Sequence, residues 1–229
     1  MDLQNDQVAR AFSRWPVDVM NLSRDDLMYA RKLLASEGMT ERVKTLPMIK
    51  SFISANLAFG PNAAAPAPYV IKEVAGPRIH GGKKPIKIGF VGVASSGIPD
   101  DGAGDVTQTS LFRKTSPAVL KARKECDVLV IVAYCDLRPA LTLAAENMEA
   151  DVLIVSDAGG FFKPRQVGNT LVVSAAPGNV QEGDLRVYLD KEGKVSFKFR
   201  SPDLDALVPS DPAAAAFVQA ARLERERPR

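Results

Sequence analysis

Three aspartates, Asp25, Asp136 and Asp157, each stand just past a short apolar run that reads as a strand. Carboxylates at strand ends offer hard oxygen ligands, and three of them suit one divalent cation such as Mg²⁺ or Mn²⁺. Aspartate is also favoured in strand-to-helix turns and at helix starts, so the same positions have a purely structural reading. Arg24 adjoins Asp25 at a predicted helix N-terminus, where a guanidinium and the helix dipole favour the same anion. Cys135 precedes Asp136. A thiolate there would be a nucleophile or redox group, and a thiol there would be an inert small hydrophobe. The turns Gly159-Gly160 and Pro177-Gly178-Asn179 lack the spacing of a phosphate-binding loop. His80, the one histidine, sits in a glycine-rich turn with no base or ligand partner near it in sequence, and is assigned no role.

The elements that must position these residues alternate. The first fifteen residues read as a helix with Val8, Ala11, Phe12 and Trp15 on one face, stopped by Pro16. A short strand over 17–20 leads to a second helix, opened by the capping pair Ser23 and Asp26 and ended by Gly38. Strands are expected at Phe52–Leu57, Tyr69–Val74 and Ile86–Val93, with a long Gly/Ser/Asp/Thr loop from Ala94 to Thr115. Ser116-Pro117 reads as a helix start. The apolar runs Asp127–Ala133 and Val152–Val155 flank a helix over Pro139–Met148, which makes a βαβ unit with parallel pairing. Thr170–Ala175, Leu185–Leu189 and Val195–Phe199 read as antiparallel strands. Asp211-Pro212 opens a last helix, and residues 216–229 end in a solvated tail. The expected architecture is one α/β domain over 1–229, a mixed sheet covered by helices.

Composition narrows the partners. The 229 residues carry 30 basic and 27 acidic side chains, net +3, and the cations are scattered rather than gathered with aromatics. That distribution argues against nucleic-acid binding. No run approaches the roughly 20 apolar residues of a membrane span. Cys126 and Cys135 bracket one apolar strand, which would hold them too far apart for a disulfide. With a polar N-terminus and no secretory signal visible, a reducing cytoplasm is the default compartment, and a periplasmic or secreted one the alternative if the true start lies upstream.

Several segments, in order, resemble the metallophosphoesterase domain of 5′-nucleotidases. These are Phe52-Ile53-Ser54-Ala55-Asn56-Leu57, the pair Tyr69–Val74 and Ile86–Val93, the strand Cys126–Val132, Ala150–Ile154, Asn169–Val173 and Leu185–Asp190 with Gly193-Lys194-Val195. The resemblance covers about residues 10 to 215. It implies a mixed-sheet αββα sandwich and, in family members, two metal ions held by Asp, His and Asn at strand ends. Two-metal hydrolysis needs that cage, because the ions generate hydroxide and neutralise the transferring phosphoryl group.

The ligand motifs are altered here. The family's Asp-x-His and Gly-Asp motifs have no counterpart in these residues, so the domain reads as N-terminally truncated. Where the family has Gly-Asn-His-Glu, this chain has Ser23-Arg24-Asp25-Asp26, which puts Arg24 and Asp25 in two ligand seats. Tyr134 takes the next histidine position, and Val155–Gly159 replaces a Gly-Gly-His-Ser-His turn, with Asp157 inside it. The resemblance thus implies a non-catalytic binding or assembly module, without a cofactor. It leaves a rebuilt hydrolase site on Asp25, Asp136 and Asp157, with one Mg²⁺ or Mn²⁺, as the alternative, and a redox role for Cys135 as a further one. Arg24, Tyr134 and Cys135 would face a phosphate or nucleotide. A homo-oligomer, or a partner chain over the open sheet edge, is expected.

Overall fold

The computed structural model describes residues 2–23, 26–75, 85–95, 106–156, 163–174, 182–190, 192–204 and 208–226. The elements run α1 (Asp2–Arg14), β1 (Met20–Asn21), α2 (Leu27–Leu34), α3 (Met39–Thr45), a 3₁₀ turn (Pro47–Ser51), β2 (Phe52–Ile53), β3 (Leu57–Phe59), β4 (Tyr69–Val74) and β5 (Ile86–Ala94). Then come β6 (Val106–Gln108), α4 (Leu111–Arg123), β7 (Val128–Tyr134), α5 (Leu137–Glu146), β8 (Val152–Ser156), β9 (Arg165–Val167), β10 (Thr170–Ser174), β11 (Asp184–Leu189), β12 (Val195–Arg200) and α6 (Pro212–Glu226).

A six-stranded mixed sheet in the order β4-β5-β7-β8-β10-β9 carries the domain, flanked by helices. β5, β7, β8 and β10 are parallel, and β4 and β9 are antiparallel edges. Its central strands are apolar on both sides because both faces are covered. Leu129, Ile131, Leu153, Val155 and Val172 point under α4 and α5, meeting Val119, Ala122, Leu143 and Ala144. The alternate residues Val128, Val130, Val152 and Val173 meet the hairpin β11–β12 through Val187, Val195, Phe197 and Phe199. Burying each large aliphatic side chain contributes about 1.5–3 kcal/mol, so β7 alone anchors both layers. A third cluster joins Ala9, Leu22, Leu27, Ala30, Met48 and Phe52 from α1, α2, the 3₁₀ turn and β2.

Several expected elements differ. The strand over Phe52–Leu57 is split into β2 and β3. Asn56 is buried at the break, where its amide donates to the carbonyls of Ala94 (2.6 Å) and Thr109 (3.1 Å), and its carbonyl accepts from the Ala94 N–H (2.9 Å). Those bonds turn the chain out of a ladder. The strand expected over 17–20 is confined to β1. The helix expected to run from Ser23 to Gly38 begins at Leu27 and stops at Leu34. Asp26 reaches back to the Ser23 N–H (3.0 Å) and hydroxyl (2.6 Å), which is the return half of a capping box. Gly38, at φ 66°, starts α3 rather than ending α2, and the Arg42 guanidinium caps the Leu33 and Ala35 carbonyls.

The helix expected at Ser116-Pro117 begins at Leu111, with Pro117 inside it. Burial of Leu111, Ala118, Val119 and Ala122 along one stripe outweighs the N–H that proline lacks. β10 pairs in parallel with β8, not antiparallel, because it returns after a crossover to a site buried on both faces. Finally, α6 extends helix through Glu226, well into the stretch read as a tail. It docks on α1, with Gln7 donating to the Ala221 carbonyl (2.8 Å) and Trp15 edge-on to Phe217 at 5.5 Å. α3, the 3₁₀ turn, β6 and β9 were not anticipated. No helix among the described residues is long and apolar enough to cross a membrane.

Candidate functional site

The C-terminal ends of β1, β5, β7 and β8 are drawn together by short polar ties. Asn21 of β1 donates to the Val93 carbonyl (2.7 Å), Ser95 N–H to Tyr134 (2.8 Å) and Cys135 N–H to Ser156 (3.1 Å). β2 crosses so close to β5 that a Cβ on Gly92 would stand 2.8 Å from the Ile53 carbonyl oxygen and 2.7 Å from Asn21 Oδ1. Glycine is required at that crossing, because a backbone carbonyl cannot be moved aside cheaply.

Three of the sequence-predicted site residues occupy consecutive positions at the end of β7, and strand geometry sends them apart. Tyr134 continues the parity of Val130 and Val132 and is half-buried, packed against the α1–α2 cluster. Cys135 falls on the opposite parity, is 2% exposed, and lies in the core beneath α4 and α5. Asp136 is exposed at the N-cap position of α5, where its carbonyl accepts from Ala140 (3.1 Å) while its carboxylate makes no cap bond. That carboxylate faces a cleft of about 410 Å³ with Ser95, Thr109 and Ser110, on the helix side of the sheet. Arg24, Asp25 and Asp157 lie outside the described residues, as do His80 and the turns at 159–160 and 177–179.

The donor set can be tested against a metal cage on this geometry. A dinuclear site needs its ligands to converge, with Asp or His at several strand ends. Here Tyr134, Cys135 and Asp136 point to three different surroundings. Among the described residues no three His, Cys, Asp or Glu side chains lie close enough to hold an ion. The other two candidate ligands, Asp25 and Asp157, lie outside those residues.

The other polar features are structural. Asp151 accepts from the Leu129 N–H (2.7 Å) and from Arg123 (2.8 Å), whose guanidinium also reaches the Cys126 and Asp127 carbonyls. This brace closes the N-terminal ends of β7 and β8, away from the candidate mouth. Neither cysteine is in a disulfide, and burial pushes the Cys126 thiol above its ordinary range. Sequence reasoning missed Asn56 as the residue that fixes the mouth. The signal was an amide inside an apolar run, where a buried polar side chain has to be satisfied.

The arrangement can be compared with known proteins. No family model matches the chain, and no match was found among curated sequences. Solved structures do match. The calcineurin-like phosphoesterase YfkN of Bacillus subtilis superposes with a TM-score of 0.77 at 16% identity, over 95% of this chain and 73% of that one. A 5′-nucleotidase precursor from Thermus thermophilus gives 0.75 at 16% identity, over 97% and 46%. The sulfate thiohydrolase SoxB of Thermus thermophilus gives 0.74 at 18%, over 97% and 40%. The fold is that of the metallophosphoesterases. This chain spans about three quarters of the first of these proteins and less than half of the other two.

Proposed function

We propose that this is a metallophosphoesterase-like domain that binds and assembles rather than hydrolyses. The observation that carries the reading is the divergence of Tyr134, Cys135 and Asp136 at the end of β7, one into an apolar cluster, one into the core and one to solvent. In the resemblance, a metal-binding histidine belongs at Tyr134. A phenol at that position offers an O–H for hydrogen bonding in place of the imidazole nitrogen that a metal takes.

A phosphate or nucleotide is the proposed ligand, held by Arg24, which lies between β1 and α2 in sequence. Support comes from Asp26, whose carboxylate is engaged by the Ser23 N–H and hydroxyl. Asp26, two residues beyond Arg24 in sequence, thus has local partners of its own. Assembly is proposed through the thinner second layer. Among the described residues β11 and β12 pair only with each other, so an outer edge of that hairpin offers pairing groups to a second copy or a partner chain. Light scattering that finds only monomer at working concentrations would remove the assembly part.

The alternative, a hydrolase rebuilt on Asp25, Asp136 and Asp157, draws on the exposure of Asp136. The redox alternative draws no support from Cys135, which solvent does not reach. Calorimetric titration separates the readings. The full chain is expected to take up phosphate without metal, to lose that heat in Arg24→Ala, and to show no stoichiometric Mn²⁺ uptake. Stoichiometric Mn²⁺ binding that disappears in Asp136→Ala would establish the rebuilt site instead.

A further inference from the structure

The last helix is held far more lightly than the helices on the sheet. α5 sets Ala140, Leu143 and Ala144 at 1% exposure or less, whereas α6 has no buried residue along its 15 positions. Its half-buried positions, Ala214, Phe217 and Ala221, recur at spacings of three and four and form one stripe. Phe217 of that stripe stands edge-on to Trp15 at 5.5 Å, and the Ala221 carbonyl accepts from Gln7 (2.8 Å). Arg10 and Glu224 add an ion pair at 3.6 Å, 56% and 43% exposed, which solvent screens. Residues 208–211, which lead into the helix, are exposed, so the approach adds no buried anchor.

The start of α6 is set locally. Pro212 takes the first helical position, and the Asp211 carboxylate accepts from the Ala214 N–H (2.7 Å). A helix of this length is marginal by itself in water, so beyond that cap its order depends on α1. α1 is anchored separately. Its Ala9 is 1% exposed in the cluster with Leu27 and Phe52, and its Asp6 accepts from the Tyr29 hydroxyl (2.6 Å). Segments with few buried apolar contacts open at much lower free energy than the core they rest on.

We propose that α6 is a reversible strap. It leaves α1 and unwinds while the sheet, α1 and α2 stay folded, and its leaving uncovers Trp15 and the Phe217 stripe. The proposal goes beyond the binding-module reading and does not rest on it.

The test is native-state hydrogen exchange of the full chain, read by mass spectrometry. Acrylamide quenching of Trp15, the one tryptophan in the sequence, is measured beside it. Amides of α6 should exchange within about a hundredfold of the unprotected rate, and those of β7 and β8 far more slowly. Asp211→Ala removes the cap without touching the Trp15 contact. It should speed α6 exchange about fivefold and raise the quenching of Trp15. Phe217→Ala should speed α6 exchange about tenfold, the size expected for loss of an aromatic pair with part of its burial. Both variants should leave β7 and β8 exchange unchanged. Exchange of α6 as slow as that of β7 would overturn the proposal. So would an Asp211→Ala protein in which β7 exchange rises in step with α6, or one in which Trp15 quenching stays at the wild-type level.

Discussion

Asn56 makes three hydrogen bonds from a side chain that is 2% exposed, two to Ala94 and one to Thr109. Truncating it removes the partners of the buried Ala94 N–H and the Thr109 carbonyl, while the Ala94 carbonyl keeps its bond from the Gln108 amide (2.7 Å). Each such group costs about 1–3 kcal/mol, and partial relaxation limits the sum. Asn56→Ala should therefore lose about 2–4 kcal/mol in denaturant titration, and an effect below 1 kcal/mol would mean that water replaces the amide. The two thiols should also behave differently. Burial, more than any neighbouring charge, raises the Cys126 thiol, so at neutral pH its thiolate fraction lies below that of an ordinary cysteine. Cys126 should label slowly with iodoacetamide at pH 7 and faster as the pH rises beyond 9. Cys135 should label only on unfolding, as read by mass spectrometry. Rapid labelling of native Cys135 at pH 7 would revive the redox reading.

At the scale of elements, legibility followed burial. β7, α5 and β8 were readable because their apolar runs are continuous or helically periodic and are buried as the pattern says. The failures have tertiary causes. β2 and β3 part where Asn56 is satisfied from β5 and from Thr109 between β6 and α4, contacts 38 and 53 residues away in sequence. α4 runs through Pro117 because core packing outweighs a local break. α6 is helical to Glu226 because α1 is there to receive Phe217 and Ala221. None of these contacts is visible in a local window. The crossing of β2 over β5 gives the sharpest prediction at this scale. In Gly92→Ala the new methyl meets the Ile53 carbonyl and side chain and the Asn21 amide oxygen. Overpacking of this kind costs about 1–3 kcal/mol, so the melting temperature should fall by several degrees, as read by calorimetry. A neutral substitution would show that β2 can lift away from β5.

The described residues form a six-stranded sheet with α4 and α5 on one face and, on the other, the β11–β12 hairpin and the α1–α2 cluster. That architecture was legible from ordered local resemblances before any contact was known. The candidate site was legible only in part. Sequence could place Tyr134, Cys135 and Asp136 together at a strand end, because they are consecutive. It could also have separated them, since a strand alternates its side chains, but only once the strand was known to run to Tyr134. The central claim is that this fold is kept without its metal-dependent chemistry. The most direct measurement is the rate of hydrolysis of an aryl phosphate and of nucleoside monophosphates by the full chain, with Mn²⁺, Mg²⁺, Zn²⁺ or Co²⁺ supplied in turn. The account predicts rates indistinguishable from the metal-only control. Metal-dependent turnover that is lost in Asp157→Ala or Asp136→Ala, with folding intact by circular dichroism, would contradict it.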